Sequence, residues 1–299
     1  MQTNTSALFW EIAKCQQKML SGAHCPGCDE ILSVQKGSPT LQIPEPWSGD
    51  IENASVLFVA SNPAIDKNEV FPSVVNSSPY PWADRCSKSG KWTKQDVEGF
   101  FSGRFGRSAC PHCGEEYFST SKYLLLKKDV TGHCRSARLQ NDYWKIYNQY
   151  FLAVAPMADN YAFAVTDAVH CKSGGQKGVL EASGFCRAHT RKVLELFASN
   201  SSKGHSILLM GGEYRRFIRW FLPEVKVKGQ GQPVGSYDYT RNKKTSRKGI
   251  FKETVKIANK DVDVYYGIPA PSGANRAAKN VIFNGKRIPV PGDGGKTRP

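Results

Sequence analysis

Nine cysteines are present, four of them in two C-x-x-C pairs, Cys25-Pro26-Gly27-Cys28 and Cys110-Pro111-His112-Cys113. A C-x-x-C turn holds two sulfurs near one point, and each pair has further cysteines downstream. The pattern points to metal or cluster ligation rather than to disulfides. A second set of residues stands out by position. Asn62 in Ser61-Asn62-Pro63-Ala64, Asp167, Gly211 and the turn Pro271-Ser272-Gly273 each follow a short apolar run. Asp66, four residues after Asn62, is a carboxylate able to act as a base or to stabilise positive charge.

Four runs read as strands. Ala54–Ala60, Tyr161–Thr166 and Ser206–Met210 are short, apolar and β-rich, as buried parallel strands are, and Val262–Tyr266 comes last. Helical spacing covers residues 7–20, 141–156 and 181–198, and a further helix follows Gly211-Gly212 and stops before Pro223. Residues 36–50 read as a connector and 229–250 as a basic loop or hairpin. The alternation predicts an α/β fold, a three-layer αβα sandwich with a central parallel sheet. In such sheets ligands bind at the carboxyl ends of the strands, where the unusual residues fall. The expected organisation is a single domain over 1–299. A cysteine-containing insertion at 76–138 interrupts it, and a flexible tail at 289–299 ends it.

The chain has 299 residues and 40% apolar residues, enough for a large core. No apolar run reaches membrane-spanning length, and the first twenty residues mix acid and base without an apolar stretch. A cytoplasmic monomer is the expectation. Lys and Arg number 41 against 26 acids, a formal +15. The commonest partner of such an excess is nucleic acid, bound largely through its phosphates. The segment Arg241–Lys248 is the best single candidate for a backbone contact; a solvated surface loop is the alternative.

Taken in order, these motifs resemble the uracil-DNA glycosylase superfamily. Ser61-Asn62-Pro63-Ala64 resembles its first motif in the mismatch-specific form, and Ala270-Pro271-Ser272-Gly273-Ala274-Asn275 its second. Val165–Cys171 and Leu209–Gly212 are similar to segments of its iron–sulfur branch. The resemblance implies a uracil-DNA-glycosylase-like fold and an enzyme that flips a base from DNA and hydrolyses its N-glycosidic bond. It assigns Asn62 to orienting the attacking water, with Asp66 assisting, and Phe71 to stacking on the flipped base, for which Tyr80 and Trp82 compete. Pro271, Ser272, Gly273, Ala274, Asn275 and Arg276 would grip phosphate and fill the vacated stack. Cys25, Cys28, Cys171 and Cys186 match the branch's ligands to a structural [4Fe-4S] cluster, with zinc as the alternative and His189 nearby. Cys86, Cys110, Cys113 and Cys134 would then hold zinc in the insertion, with His112 or His133 as possible substitutes. Cys15 reads as a core thiol.

Two departures shape the substrate expectation. Asp167 stands where the family commonly has Asn. A carboxylate accepts from the exocyclic amine of cytosine, and a buried, protonated one could also donate to its N3. Ala270 stands where many members carry His, so the usual donor to the leaving base is missing. A modified cytosine, such as the hydroxymethylated or glucosylated bases of phage DNA, is therefore the expected base, with a defence role. The alternatives are repair of uracil or deaminated bases, and a non-catalytic, metal-stabilised nucleic-acid-binding module.

Overall fold

A computed structural model describes residues 4–15, 26–36, 41–63, 143–155, 163–200, 205–211, 218–226, 231–270 and 278–289. It also describes short stretches at 73–74, 97–98, 101–102, 107–109, 116–118, 124–128 and 134–138. Its centre is one eight-stranded sheet. In chain order the strands are β1 (Val56–Ala60), β2 (Phe163–Asp167), β3 (His205–Met210), β4 (Gln232–Arg241), β5 (Lys244–Ile257), β6 (Lys260–Ile268), β7 (Ala278–Phe283) and β8 (Lys286–Ile288). Their order across the sheet is β8-β7-β4-β5-β6-β3-β1-β2.

The sheet has two halves with different pairing. β6, β3, β1 and β2 run parallel, whereas β8, β7, β4, β5 and β6 pair antiparallel. The expected three-layer αβα sandwich around a central parallel sheet is therefore wrong. The sheet is mixed, mostly antiparallel in its pairings, and curled like a half-barrel. Three hairpins cause the difference, because each adds strands to the β6 side without a crossover helix. Their two-residue turns, Asn242-Lys243, Ala258-Asn259 and Asn284-Gly285, all take positive φ (51° and 61°, 48° and 64°, 45° and 72°). That geometry matches the strand twist and suits Asn and Gly, which carry the left-handed conformation at least cost.

Helices α1 (Thr5–Ala13), α2 (Pro26–Lys36), α3 (Tyr143–Val154), α4 (Val179–Asn200) and α5 (Ile218–Phe221) complete the fold. α3 and α4 cover opposite faces. Tyr147 of α3 meets Phe58 at 4.6 Å between ring centroids, and Phe151 meets Phe163 at 5.6 Å. On the other face, Phe197 of α4 packs edge-on against His205 at 5.0 Å. Burying such a ring stabilises by roughly 1.5–3 kcal/mol. The predicted connector at 36–50 is not free chain. Ser48 and Val165 exchange backbone hydrogen bonds of 2.7 and 2.8 Å, which closes the outer edge of β2.

The expected insertion at 76–138 contains two short hairpins, Arg107–Ala109 with Glu116–Phe118 and Leu124–Lys128 with Cys134–Arg138. It is not wholly separate from the main core. Val97 and Phe101 are fully buried there, and Phe101 packs on Phe9 of α1 at 5.5 Å. The tail beyond Pro289 lies outside the described residues. No helix among those described is long and apolar enough to cross a membrane.

Candidate active site at the carboxyl edge of the sheet

Within the parallel half, the order β2-β1-β3-β6 means that the chain moves from β1 to one side and then back across to the other. Connections therefore diverge between β1 and β3, and by the rule for open α/β sheets the carboxyl ends of those strands are the expected position of a ligand crevice. Ser61, Asn62 and Pro63 leave β1 at this point, and Gly211 leaves β3 with φ of 87°. The Gly211 backbone N–H donates to the Ile268 carbonyl at 2.7 Å, so the ends of β3 and β6 stay together.

Asn62 and Asp167 end adjacent strands. Ala60 is in register with Asp167, and the pairing continues past the strands. Ala168 N–H donates to Ala60 O at 2.9 Å, Val169 to Ser61 at 3.0 Å, and Ser173 to Pro63 at 3.1 Å. The two loops are thus zipped together. Asn62 Nδ2 donates to the carbonyls of Pro63 and Ser173 at 3.0 and 3.3 Å, and its Oδ1 accepts from Ser61 Oγ at 3.3 Å. Gln176 Nε2 in turn donates to Ser61 Oγ at 3.1 Å. With the amide nitrogen committed to two backbone carbonyls, Oδ1 is the atom left with spare acceptor capacity.

Asp167 is 5% exposed, and the segment that follows it is equally buried. The connector holds this segment from the side. Thr166 Oγ1 donates to Pro46 O at 2.7 Å, and His170 Nδ1 lies 3.0 Å from Glu45 O. Lys172 Nζ stands 3.8 Å from Glu45 Oε2, a buried ion pair, while Gln35 Nε2 donates to Lys172 O at 2.6 Å. Burial, with repulsion from His189, lowers the His170 pKa to about 4, so its ring is neutral near pH 7. Nothing in the periodicity singles out Glu45 or Lys172. An acid in a presumed connector carries no pairing signal.

The cysteines divide by position. Cys28, Cys171 and Cys186 are buried together in a small apolar cluster with Ile31, Leu32 and Val169, and Cys15 packs against it. Cys15, read as a core thiol, is therefore a neighbour of the expected ligands. Two glycines bring the parts together. A Cβ on Gly27 would lie 2.3 Å from Ala182 N, and one on Gly178 would lie 2.3 Å from Gly27 O. Only glycine permits α2 and α4 to approach so closely, and Gly178 also takes φ of 70°.

Burial and the neighbouring Cys186 and Cys15 push the Cys171 thiol well above its ordinary range. Burial, then Cys15, pushes Cys186 up to about 12. Cys28 is disulfide-bonded, whereas Cys171 and Cys186 carry unoxidised thiols. No group of three His, Cys, Asp or Glu side chains among the described residues is arranged to hold a metal. The chemistry of the donors, sulfurs in an apolar shell, suits a thiophilic metal. His189 instead lies 3.3 Å from Glu11, a contact that ties α4 to α1.

Several expected site residues lie outside the described residues: Asp66, Phe71, Pro271, Ser272, Gly273, Ala274, Asn275, Arg276, Cys25, Cys86, Cys110 and Cys113. Cys134 opens the strand Cys134–Arg138. No family model matches the chain, and no curated protein and no solved structure is significantly similar to it.

Proposed function

We propose that this chain is a monofunctional DNA glycosylase, acting in the cytoplasm as a monomer on a modified cytosine. The observation that supports this reading best is the placement of Asn62 and Asp167. They stand at neighbouring strand ends, beside the point where the strand order reverses. In the proposed reaction the base leaves the duplex, at a few kcal/mol of unstacking. Asn62 Oδ1 accepts a hydrogen bond from a water, aiming its oxygen at C1′ of the sugar. The C1′–N bond breaks with its electron pair going to the base, the water oxygen bonds C1′, and its proton passes to Asp66. Asp167 accepts from the exocyclic amine and selects a cytosine-type base. The segment Pro271–Arg276 grips the backbone beside it.

A [4Fe-4S] cluster or zinc at Cys25, Cys28, Cys171 and Cys186 would be structural, supplying thiolate ligation that locks α2 to α4. A second zinc at Cys86, Cys110, Cys113 and Cys134 would do the same for the insertion. The purified protein tests the excision reading directly. It should leave alkali-sensitive abasic sites in DNA carrying modified cytosine, with no strand break before alkali. Absence of such sites on every modified or uracil-containing duplex would exclude it.

A further inference from the structure

The register of the antiparallel half extends one hairpin well past the carboxyl edge. Ile268, the last residue of β6, is level with Met210 at the end of β3. Phe251 of β5 is opposite Tyr266, which puts Gly249 level with Ile268. From there β5 and β4 continue as a paired arm to Lys244 and Arg241. Five residues beyond that level is about 17 Å at 3.4 Å per residue. The arm leaves the sheet on the same edge as Asn62 and Asp167.

Its composition is one-sided. From Gln232 to Lys248 there are five cations (Arg241, Lys243, Lys244, Arg247, Lys248) and one acid, Asp238. Asp238 already accepts from Asn280 Nδ2 at 3.0 Å. Among the described residues none of the five cations meets a carboxylate, and all five are exposed. The opposite end of β5 differs, because Lys252 pairs with Asp263 at 2.6 Å and Lys256 with Asp261 at 3.0 Å. Within the β4–β5 hairpin, the cations without a carboxylate partner among the described residues therefore lie at the end beyond the carboxyl edge.

The pairing also sorts the arm into two faces. Arg241 lies opposite Lys244, Tyr239 opposite Ser246, and Tyr237 opposite Lys248, so these six share one face. Arg247 lies opposite Asp238 on the other, where its guanidinium bonds Ser236 Oγ at 2.8 Å. Tyr239 also sits opposite Ala278, the residue that resumes the sheet after the 271–277 segment. We propose that the face of this arm bearing Tyr239, Arg241, Lys244 and Lys248, beyond Tyr237, which packs against the core, is a DNA-binding surface. Its cations contact the phosphates flanking the crevice, and Tyr239 stacks on an unpaired base. The chemistry is that of strand-binding grooves, in which cations follow the backbone and an aromatic ring accepts any base. The proposal rests on the excision reading only for what happens to the DNA once held.

The test is fluorescence anisotropy with labelled duplex and single-stranded DNA across a salt series, using the full chain. R241Q/K244Q/K248Q should bind about tenfold more weakly or worse, and its log–log salt slope should fall by about 3, roughly one for each phosphate no longer neutralised. Y239A should weaken single-strand binding more than duplex binding. R247Q, on the opposite face, should remain within about twofold of wild type. Unchanged melting temperature confirms that each variant folds. An unaltered slope in the triple variant, equal loss in R247Q, or no DNA binding by the wild type overturns the proposal. Base release is scored on the same preparations. Wild type that binds through the arm but never releases a base leaves the arm standing and removes excision. Base release with undiminished DNA binding in the triple variant does the reverse.

Discussion

At the residue scale, the proposed reaction gives Asn62 and Asp167 separable roles. Asn62 orients water in the proposed reaction, so N62A should fold normally and lose excision by roughly 10²–10⁴-fold, the usual yield of positioned acid–base groups. Single-turnover base release measures it, and retained activity would remove Asn62 from the chemistry. D167N tests recognition instead. The change swaps one acceptor oxygen for a donor, so discrimination should move away from cytosine-type bases toward uracil, read as the ratio of kcat/KM on the two duplexes. A uniform loss on both would mean that Asp167, which is 5% exposed, supports the strand end rather than the base. These two residues are legible because each follows an apolar run, and the end of a buried strand is a defined place. Glu45 and Lys172 are not, because their pairing joins positions 127 apart through a connector whose Pro, Gly and Ser content suggests solvent.

At the element scale, the close packing of α2 on α4 carries the cysteine arrangement. Adding one methyl at Gly27 forces backbone apart at 2.3 Å. G27A should destabilise by about 1–3 kcal/mol in denaturant unfolding, the range for overpacked sites. If a metal centre is present, the same variant should be purified with less iron or zinc by elemental analysis. C171S should lose that metal as well, whereas C15S should retain it. Equal metal content in wild type and C171S, or none in either, would remove the proposed centre. The buried elements are readable from sequence: β1 and α3 fall within predicted runs, and β2, β3, β6 and α4 overlap theirs while extending one or two residues beyond them. β7 and β8 escape because polar residues interrupt the apolar alternation: Lys279 and Asn280 are consecutive and exposed in β7, where Ile282 is exposed too, and β8 has one buried residue, Ile288. The arm of β4 and β5 shows only as a basic loop or hairpin for the same reason.

Across the whole molecule, the sandwich expectation fails although most buried strands are placed correctly. Alternation of strands and helices reports crossovers, and three parallel pairings are indeed made by β6, β3, β1 and β2. It is silent on hairpins that extend the same sheet, and here antiparallel pairings outnumber parallel ones and the sheet curls. The consequence for function is the arm beside the crevice, on a chain with a formal +15. A wild-type complex held mainly through phosphates should weaken by orders of magnitude between low and moderate salt. A salt-insensitive complex would argue against a DNA surface altogether. Salt dependence, however, reports only how DNA is held, whereas the proposed activity is hydrolysis of a glycosidic bond. Mass spectrometric detection of the released base decides that, using matched duplexes containing hydroxymethylated or glucosylated cytosine, plain cytosine or uracil. Free modified base is expected, with an abasic site in equal amount and loss of both in N62A. Intact DNA in every duplex, or release unchanged by N62A, would contradict it.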